Sequence, residues 1–432
     1  MKIAPAKNLK GTLSLPGDKS ISHRAAILAA LAGGTTKIEN FAPGADCAST
    51  LSCLKQLGAE VEREGNTVII HGRGKNNLKE PAAALDCGNS GSTMRMLAGV
   101  LAGQNFTCQL TGDISLSKRP MKRIIDPLTQ MGAVIGSTDG HAPLTIHGRK
   151  PLSAISYSLP KPSAQLKSCI LLAGLFADGV TEVIETIPTR DHTERMLPHF
   201  GAEVLVEENS YGKHISLRGG ARLRASDIKI PADISSAAFF LAAAAGIKNS
   251  ALILPGLGLN PTRAGLIDVL RRLGVEIEIT GEKFFGYEPV GDVTIHGAEL
   301  KPQPGANIID GNLTAALIDE IPVLAVLGTQ LENGLEIRDA QELRLKESDR
   351  IKSVVQNLKL MGAEVVEFPD GLRVGRSNLK GAKIDSYGDH RIAMAFAVAG
   401  LFAKGETEIT GAECVNISYP GFFDALEEIV IR

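Results

Sequence analysis

One pattern recurs along the chain at a period of roughly 70 to 90 residues, and any fold must accommodate it about six times. It opens with a helix of small and aliphatic residues that follows a polar or Gly-rich turn. Six stretches fit: Ser22 to Ala32, Ser92 to Ala102, Ala164 to Ala177, Ser235 to Ala245, Leu313 to Leu327 and His390 to Ala403, each closed by Gly within two residues. A short stretch suited to a half-buried strand comes next, as in Thr35-Thr36-Lys37-Ile38, Thr107-Cys108-Gln109-Leu110, Val180-Thr181-Glu182-Val183, Ala251-Leu252-Ile253-Leu254, Leu335-Glu336-Ile337 and Glu408-Ile409. The third part is an amphipathic helix ending at a Gly-to-strand junction, at Leu57-Gly58, Met131-Gly132, Phe200-Gly201, Leu273-Gly274 and Met361-Gly362. Gly suits the left-handed position that ends a helix. The sixth copy is expected to stop inside its helix, Phe422 to Val430.

The fold class is therefore α/β, with six related units dividing three and three near Ser226 to Pro231. The first helix of each unit is apolar nearly all round, for example Ala25-Ala26-Ile27-Leu28-Ala29-Ala30-Leu31-Ala32, so these helices are expected beneath the sheets, with the sheets outside. On pattern alone the N-terminal strand, residues 1 to about 16, can pair with either half.

With 432 residues, 44% of them hydrophobic, the chain can bury a large core in two or three domains. A formal net charge of -2 argues against a general nucleic-acid or membrane-surface binder, so anion recognition must be local. The start Met1-Lys2-Ile3-Ala4-Pro5 lacks a signal-peptide layout and the apolar runs are interrupted by Gly; no membrane span is expected, and the expected compartment is the cytoplasm. Six cysteines fall at no metal-ligand spacing and nine histidines are scattered singly, which disfavours a metalloenzyme. Reduced, mostly buried thiols are expected.

Helix N-termini with free N–H groups attract anions. In Pro16-Gly17-Asp18-Lys19-Ser20-Ile21-Ser22-His23-Arg24 a strand ends and Lys19, Ser20 and Arg24 fall in the first turns of a helix, which suits a phosphate or a capped helix with solvated charges. It is not a Walker A loop. The turn Gly88-Asn89-Ser90-Gly91 would let a ligand approach the backbone at Gly91, or is a plain helix start. Ser163-Ala164-Gln165 offers hydroxyl and amide groups to a polyol, or a plain Ser cap. Charged turns precede the amphipathic helices at Lys118-Arg119-Pro120, Thr189-Arg190-Asp191-His192 and Lys346-Glu347-Ser348-Asp349-Arg350. Jointly, Arg119, Arg350 and Arg391 would fit a small ligand carrying both carboxylate and phosphate. Asp319 in an otherwise apolar helix is a candidate for proton work or for a structural ion pair, and Glu347 is the second candidate acid.

Five segments in this order resemble the signatures of the 3-phosphoshikimate 1-carboxyvinyltransferase (EPSP synthase) family: Gly17 to Arg24, Gly88 to Gly91, Lys118 to Met121, Lys346 to Arg350, and Gly388-Asp389-His390-Arg391-Ile392-Ala393-Met394. The resemblance runs from Lys19 to the C-terminus. It implies a two-domain inside-out α/β barrel, three repeats per domain, with residues 20–226 in one domain and 1–19 plus 227–432 in the other. It implies a monomer that joins phosphoenolpyruvate to the 5-hydroxyl of shikimate 3-phosphate with no metal, organic cofactor, nucleic acid or membrane. Shikimate 3-phosphate would meet Lys19, Ser20, Arg24, Ser163, Ala164 through its backbone, Gln165, Arg190, Asp319 and Lys346. Phosphoenolpyruvate would meet Lys19, Asn89, Gly91, Arg119, Gln165, Arg350 and Arg391. Asp319 would act as base, and Glu347 assisted by Lys19 as acid; domain closure would exclude water.

Two positions depart from the family pattern. Ile417 stands where some members place a lysine, and Gly91 where glyphosate-tolerant members often carry Ala, although Ser163-Ala164-Gln165-Leu166-Lys167-Ser168 resembles the tolerant branch. Because Gly91 leaves room, glyphosate is expected to compete with phosphoenolpyruvate. The nearest alternative is a UDP-N-acetylglucosamine enolpyruvyl transferase, whose members usually carry Lys-Asn where this chain has Lys19-Ser20. A non-catalytic repeat scaffold is the other, and it would not need Asp319, Lys346 and Glu347.

Overall fold

The computed structural model describes residues 1–432, which fall into two compact units. The first comprises Gly17–Ile230 with Phe285–Glu288; the second comprises Met1–Pro16, Pro231–Phe284 and Pro289–Arg432. Residues 17–19 and 227–230 thus lie in the first unit. Local packing explains both: a Cβ on Gly17 would lie 1.7 Å from the Asn40 carbonyl oxygen, and Ile228–Lys229 pairs in parallel with Gly33–Glu39.

Three four-stranded sheets of the first unit share one strand order. They run Ile228–Lys229, Gly33–Glu39, Thr67–Arg73, Glu60–Glu64; then Leu85–Asp86, Thr107–Thr111, His141–His147, Val134–Thr138; then Ser156–Ser158, Val180–Glu185, Gly212–Arg218, Val204–Asn209. In each, the first pair is parallel and the other two are antiparallel. A parallel pair needs a crossover: the Gly91–Ala102 helix lies between Leu85–Asp86 and Thr107–Thr111 and the Ala164–Gly174 helix between Ser156–Ser158 and Val180–Glu185, whereas Ile228–Lys229 returns to Gly33–Glu39 only after the other two sheets have formed.

The same order recurs in the second unit as Ile308–Ile309, Leu335–Ile337, Gly371–Val374, Val365–Phe368. Its other two sheets recruit the N-terminus. Lys2–Ile3 lies antiparallel to Thr407–Thr410, and Asn8–Thr12 runs parallel to Ala251–Gly258.

The helices Lys19–Leu31, Gly91–Ala102 and Ala164–Gly174 form the core of the first unit, with Ile234–Gly246, Ile321–Gly328 and His390–Phe402 in the second. From Ile234 to Ala245 every residue is buried, which is why this helix needs no polar face. Each fully buried Leu or Phe here stabilises by about 1.5–3 kcal/mol. Close approach demands small residues: a Cβ on Gly99 would lie 2.2 Å from the Cys169 carbonyl oxygen. All five junction glycines, Gly58, Gly132, Gly201, Gly274 and Gly362, have positive φ between 79° and 101°.

Two expectations are corrected. Leu313 to Leu327 is not one helix but Gly311–Ala316 and Ile321–Gly328. Pro322 has no N–H to continue the ladder, so Asp319 and Glu320 fall in the turn between them. The last copy does not stop inside its helix either: Phe422–Ile429 is followed by the strand Val430–Ile431, which pairs with Leu9 and Asn8.

Candidate active site

In the first unit the candidate residues gather at the N-termini of its buried helices. Asp18 accepts the Ile21 N–H at 2.8 Å and so starts the Lys19–Leu31 helix. Lys19 Nζ is 3.0 Å from Asp46 Oδ2. Arg24, 4% exposed, donates to Thr193 Oγ1 at 2.8 Å, Ser168 Oγ at 2.7 Å and the Ser20 carbonyl at 2.8 Å. Burial pushes its pKa down to about 10, and the neighbouring Arg190 adds to that lowering. Glu194 and Asp18 work against that lowering, so Arg24 has carboxylates as well as a second cation around it.

Ser163 caps the Ala164–Gly174 helix through the Leu166 N–H. Gln165 donates to Ser92 Oγ at 2.8 Å and accepts from Arg95 Nη1 at 2.6 Å, tying two helix N-termini together. Asn89 accepts from Arg119 Nη2 at 2.6 Å. A Cβ on Gly91 would lie 2.7 Å from Arg95 Nη1 and 3.4 Å from Arg119 Nη1, so the bare backbone there faces two guanidinium groups. Lys167, which donates to the Thr189 carbonyl at 3.4 Å, is fully buried, 2.8 Å from Glu185 Oε2 and 2.6 Å from Glu194 Oε1. Burial opposes its charge, but Glu194 and Glu185 raise its pKa. Glu185 also accepts from the Thr189 hydroxyl, which fixes the turn that carries Arg190.

In the second unit Asp319 Oδ1 stands among three cations, 3.4 Å from Arg350 Nη1, 3.6 Å from Lys346 Nζ and 3.8 Å from Arg391 Nε. Arg350, 1% exposed, also meets Glu347 Oε2 at 2.6 Å and Asp389 Oδ2 at 2.8 Å. Burial would lower its pKa, yet Asp389, then Glu347 and Asp319, raise it, so the guanidinium stays charged. Because the helix breaks before Ile321, the Asp319 carbonyl is available to Arg391 Nη1, which donates to it at 2.8 Å. A carboxylate can take up a proton, and the cations around it are groups that can bind an anion.

Residues 3–426 match the family model described as EPSP synthase (3-phosphoshikimate 1-carboxyvinyltransferase). The chain belongs to the EPSP synthase family. A 3-phosphoshikimate 1-carboxyvinyltransferase of Koribacter versatilis (strain Ellin345) is 55% identical over 433 residues, covering 100% of this chain and 99% of its own. That of Solibacter usitatus (strain Ellin6076) is 50% identical over 430 residues, covering 99% of each chain. Among solved structures, an EPSP synthase from Acinetobacter baumannii aligns with a TM-score of 0.87 at 42% identity, covering 100% of this chain and 98% of that one. The enolpyruvyl transferase NikO from Streptomyces tendae shares the fold at 19% identity, with a TM-score of 0.77 over 99% of this chain and 96% of that one.

Placed in this EPSP synthase family member, Lys19, Ser20, Arg24, Asn89, Gly91, Arg119, Ser163, Ala164, Gln165 and Arg190 lie in the first unit, and Asp319, Lys346, Glu347, Arg350 and Arg391 in the second. Ile417 ends a short 3-10 turn, Ala412–Ile417. No group of three or more His, Cys, Asp or Glu side chains is placed to hold a metal ion, and no helix is long and apolar enough to cross a membrane. Sequence reasoning missed the residues that hold the candidates in place: Asp46, Arg95, Lys167, Ser235, Arg263, Glu320 and Asp389. For Arg95 and Lys167 a signal existed, a charged residue inside an apolar helix.

Proposed function

We propose that this chain transfers the carboxyvinyl group of phosphoenolpyruvate to the 5-hydroxyl of shikimate 3-phosphate, releasing phosphate, in the shikimate pathway to aromatic amino acids. The observation that carries this reading is the Asp319 carboxylate standing within 3.8 Å of Lys346, Arg350 and Arg391. A base and anion-binding groups are what a reaction between two anionic metabolites requires.

In this reading Lys19, Ser20, Arg24, Ser163, the Ala164 backbone, Gln165, Arg190, Asp319 and Lys346 bind shikimate 3-phosphate. Lys19, Asn89, Gly91, Arg119, Gln165, Arg350 and Arg391 bind phosphoenolpyruvate. Asp319 takes the 5-hydroxyl proton as that oxygen attacks C2, while Glu347, assisted by Lys19, protonates C3. The tetrahedral adduct then loses phosphate as a methyl proton is removed, which restores the enol ether. Neither metal nor organic cofactor takes part. Each unit is read as one enolpyruvyl transferase domain, an inside-out barrel of three repeats; three sheets of three or more strands and three buried helices in each support this. The enzyme is read as a cytoplasmic monomer.

UDP-N-acetylglucosamine is the less supported acceptor, because relatives about half identical over nearly the whole chain carry the shikimate name. Phosphate release is the deciding measurement. Phosphate formed from phosphoenolpyruvate only when shikimate 3-phosphate is present supports the proposal. Phosphate formed with UDP-N-acetylglucosamine instead, or with neither acceptor, sinks it.

A further inference from the structure

Arg391 is held by a buried ionic chain that no step of the proposed reaction uses. Its Nη1 donates to Ser235 Oγ at 2.7 Å and to the Asp319 carbonyl at 2.8 Å, so both protons of that nitrogen go to protein acceptors. The Ser235 hydroxyl in turn donates to Glu320 Oε1 at 2.5 Å. The other oxygen, Glu320 Oε2, accepts from Arg263 Nη1 at 2.9 Å. Arg263 and Glu320 are 4% and 2% exposed, and Ser235 is 3% exposed.

These four side chains come from separate parts of the second unit. Ser235 lies on the Ile234–Gly246 helix, Arg263 before the Gly265–Arg272 helix, Glu320 in the turn before Ile321, and Arg391 on the His390–Phe402 helix. Burying a carboxylate with a guanidinium gains little stability over apolar packing, so stability alone does not account for the pair. Geometry does. Arg263 occupies one oxygen of Glu320, leaving the other for Ser235, and a hydroxyl can accept from Arg391 while donating to Glu320. The plane of the Arg391 guanidinium is thereby set, and a planar fork binds an anion well only when its orientation is fixed.

We propose that Ser235, Glu320 and Arg263 are positioning residues that orient Arg391 towards an anionic group of phosphoenolpyruvate; this rests on the reading that Arg391 binds that substrate. Steady-state kinetics on the full chain, varying each substrate in turn, tests it. Ser235→Ala removes the hydroxyl link and leaves every buried charge in place. It is expected to raise KM for phosphoenolpyruvate about ten-fold, the loss of one charge-assisted hydrogen bond, while KM for shikimate 3-phosphate stays within about two-fold. Glu320→Gln should act in the same direction, with folding checked by circular dichroism.

Arg391→Lys is measured alongside. A raised phosphoenolpyruvate KM in R391K, with wild-type values in S235A and in folded E320Q, overturns the positioning role alone. An unchanged value in R391K overturns the assignment of Arg391 itself. Equal rises for both substrates in S235A also overturn the proposal, because loosened packing has no preference between them.

Discussion

Arg350 Nε and Asp389 Oδ2 meet at 2.8 Å, with the two side chains 2% and 0% exposed. The same carboxylate accepts the Arg391 N–H at 2.9 Å through Oδ1 and caps the His390–Phe402 helix. One buried acid therefore sets both the side chain of Arg350 and the start of the helix that carries Arg391. Asp389→Asn would leave a buried guanidinium short of a carboxylate. It is expected to destabilise the fold by roughly 3–5 kcal/mol and to raise KM for phosphoenolpyruvate at least ten-fold. Urea unfolding and initial rates check the two arms; an unchanged stability would refute the pairing argument.

Asp319→Asn keeps the size and shape of the proposed base and removes its ability to take a proton. Turnover is expected to fall by about 10²- to 10⁴-fold, with shikimate 3-phosphate still bound. Single-turnover rates and a direct binding titration separate the two effects. Near-normal turnover would remove Asp319 from the proton-transfer role.

Gly91→Ala places a methyl group 2.7 Å from Arg95 Nη1, and that end of the side chain must move. Because Arg95 holds Gln165 at 2.6 Å, the disturbance should reach phosphoenolpyruvate binding. A rise in KM for phosphoenolpyruvate of several-fold is expected, with little change for shikimate 3-phosphate. The unsubstituted chain should be inhibited by glyphosate in competition with phosphoenolpyruvate, and the Ala variant less so. Inhibition of the natural sequence only at concentrations far above the substrate KM would contradict the role given to Gly91.

His23 gives the fold a pH dependence. Burial, with Lys19 and Arg24 nearby, lowers its pKa from 6.5 to about 3, while Nδ1 lies 2.7 Å from Thr50 Oγ1. The folded imidazole therefore stays neutral where the unfolded one takes up a proton. Its contribution to stability is complete above the unfolded pKa of 6.5 and is lost as pH falls towards 3. The slope is up to about 1.4 kcal/mol per pH unit. In His23→Gln, the stability lost between pH 7.5 and 5 should be smaller than in the natural chain by roughly 2 kcal/mol. Urea unfolding at both pH values measures it, and parallel losses in the two proteins would rule this account out.

Much of the fold was legible because its signals are local. The junction glycines Gly58, Gly132, Gly201, Gly274 and Gly362 take the left-handed backbone that ends a helix, and the caps at Asp18, Ser90 and Ser163 act within three residues. The break in Leu313 to Leu327 was also written locally, in Pro322, although the apolar run around it hid the signal. The candidate cations and acids stood out because Lys, Arg and Asp are conspicuous at the starts of apolar helices.

By itself, then, the sequence determined the repeat, most of the helices and strands, and the candidate reactive groups, since each is written within a few residues. Tertiary structure alone decided which strands the N-terminus joins: Lys2 pairs with Glu408 and Leu9 with Val430. It also decided which buried partners hold the site, such as Asp389 for Arg350 across 39 residues and Ser235 for Arg391 across 156. Backbone pairing and buried charge are satisfied by whatever group packing brings near, and no spacing along the chain encodes that neighbour.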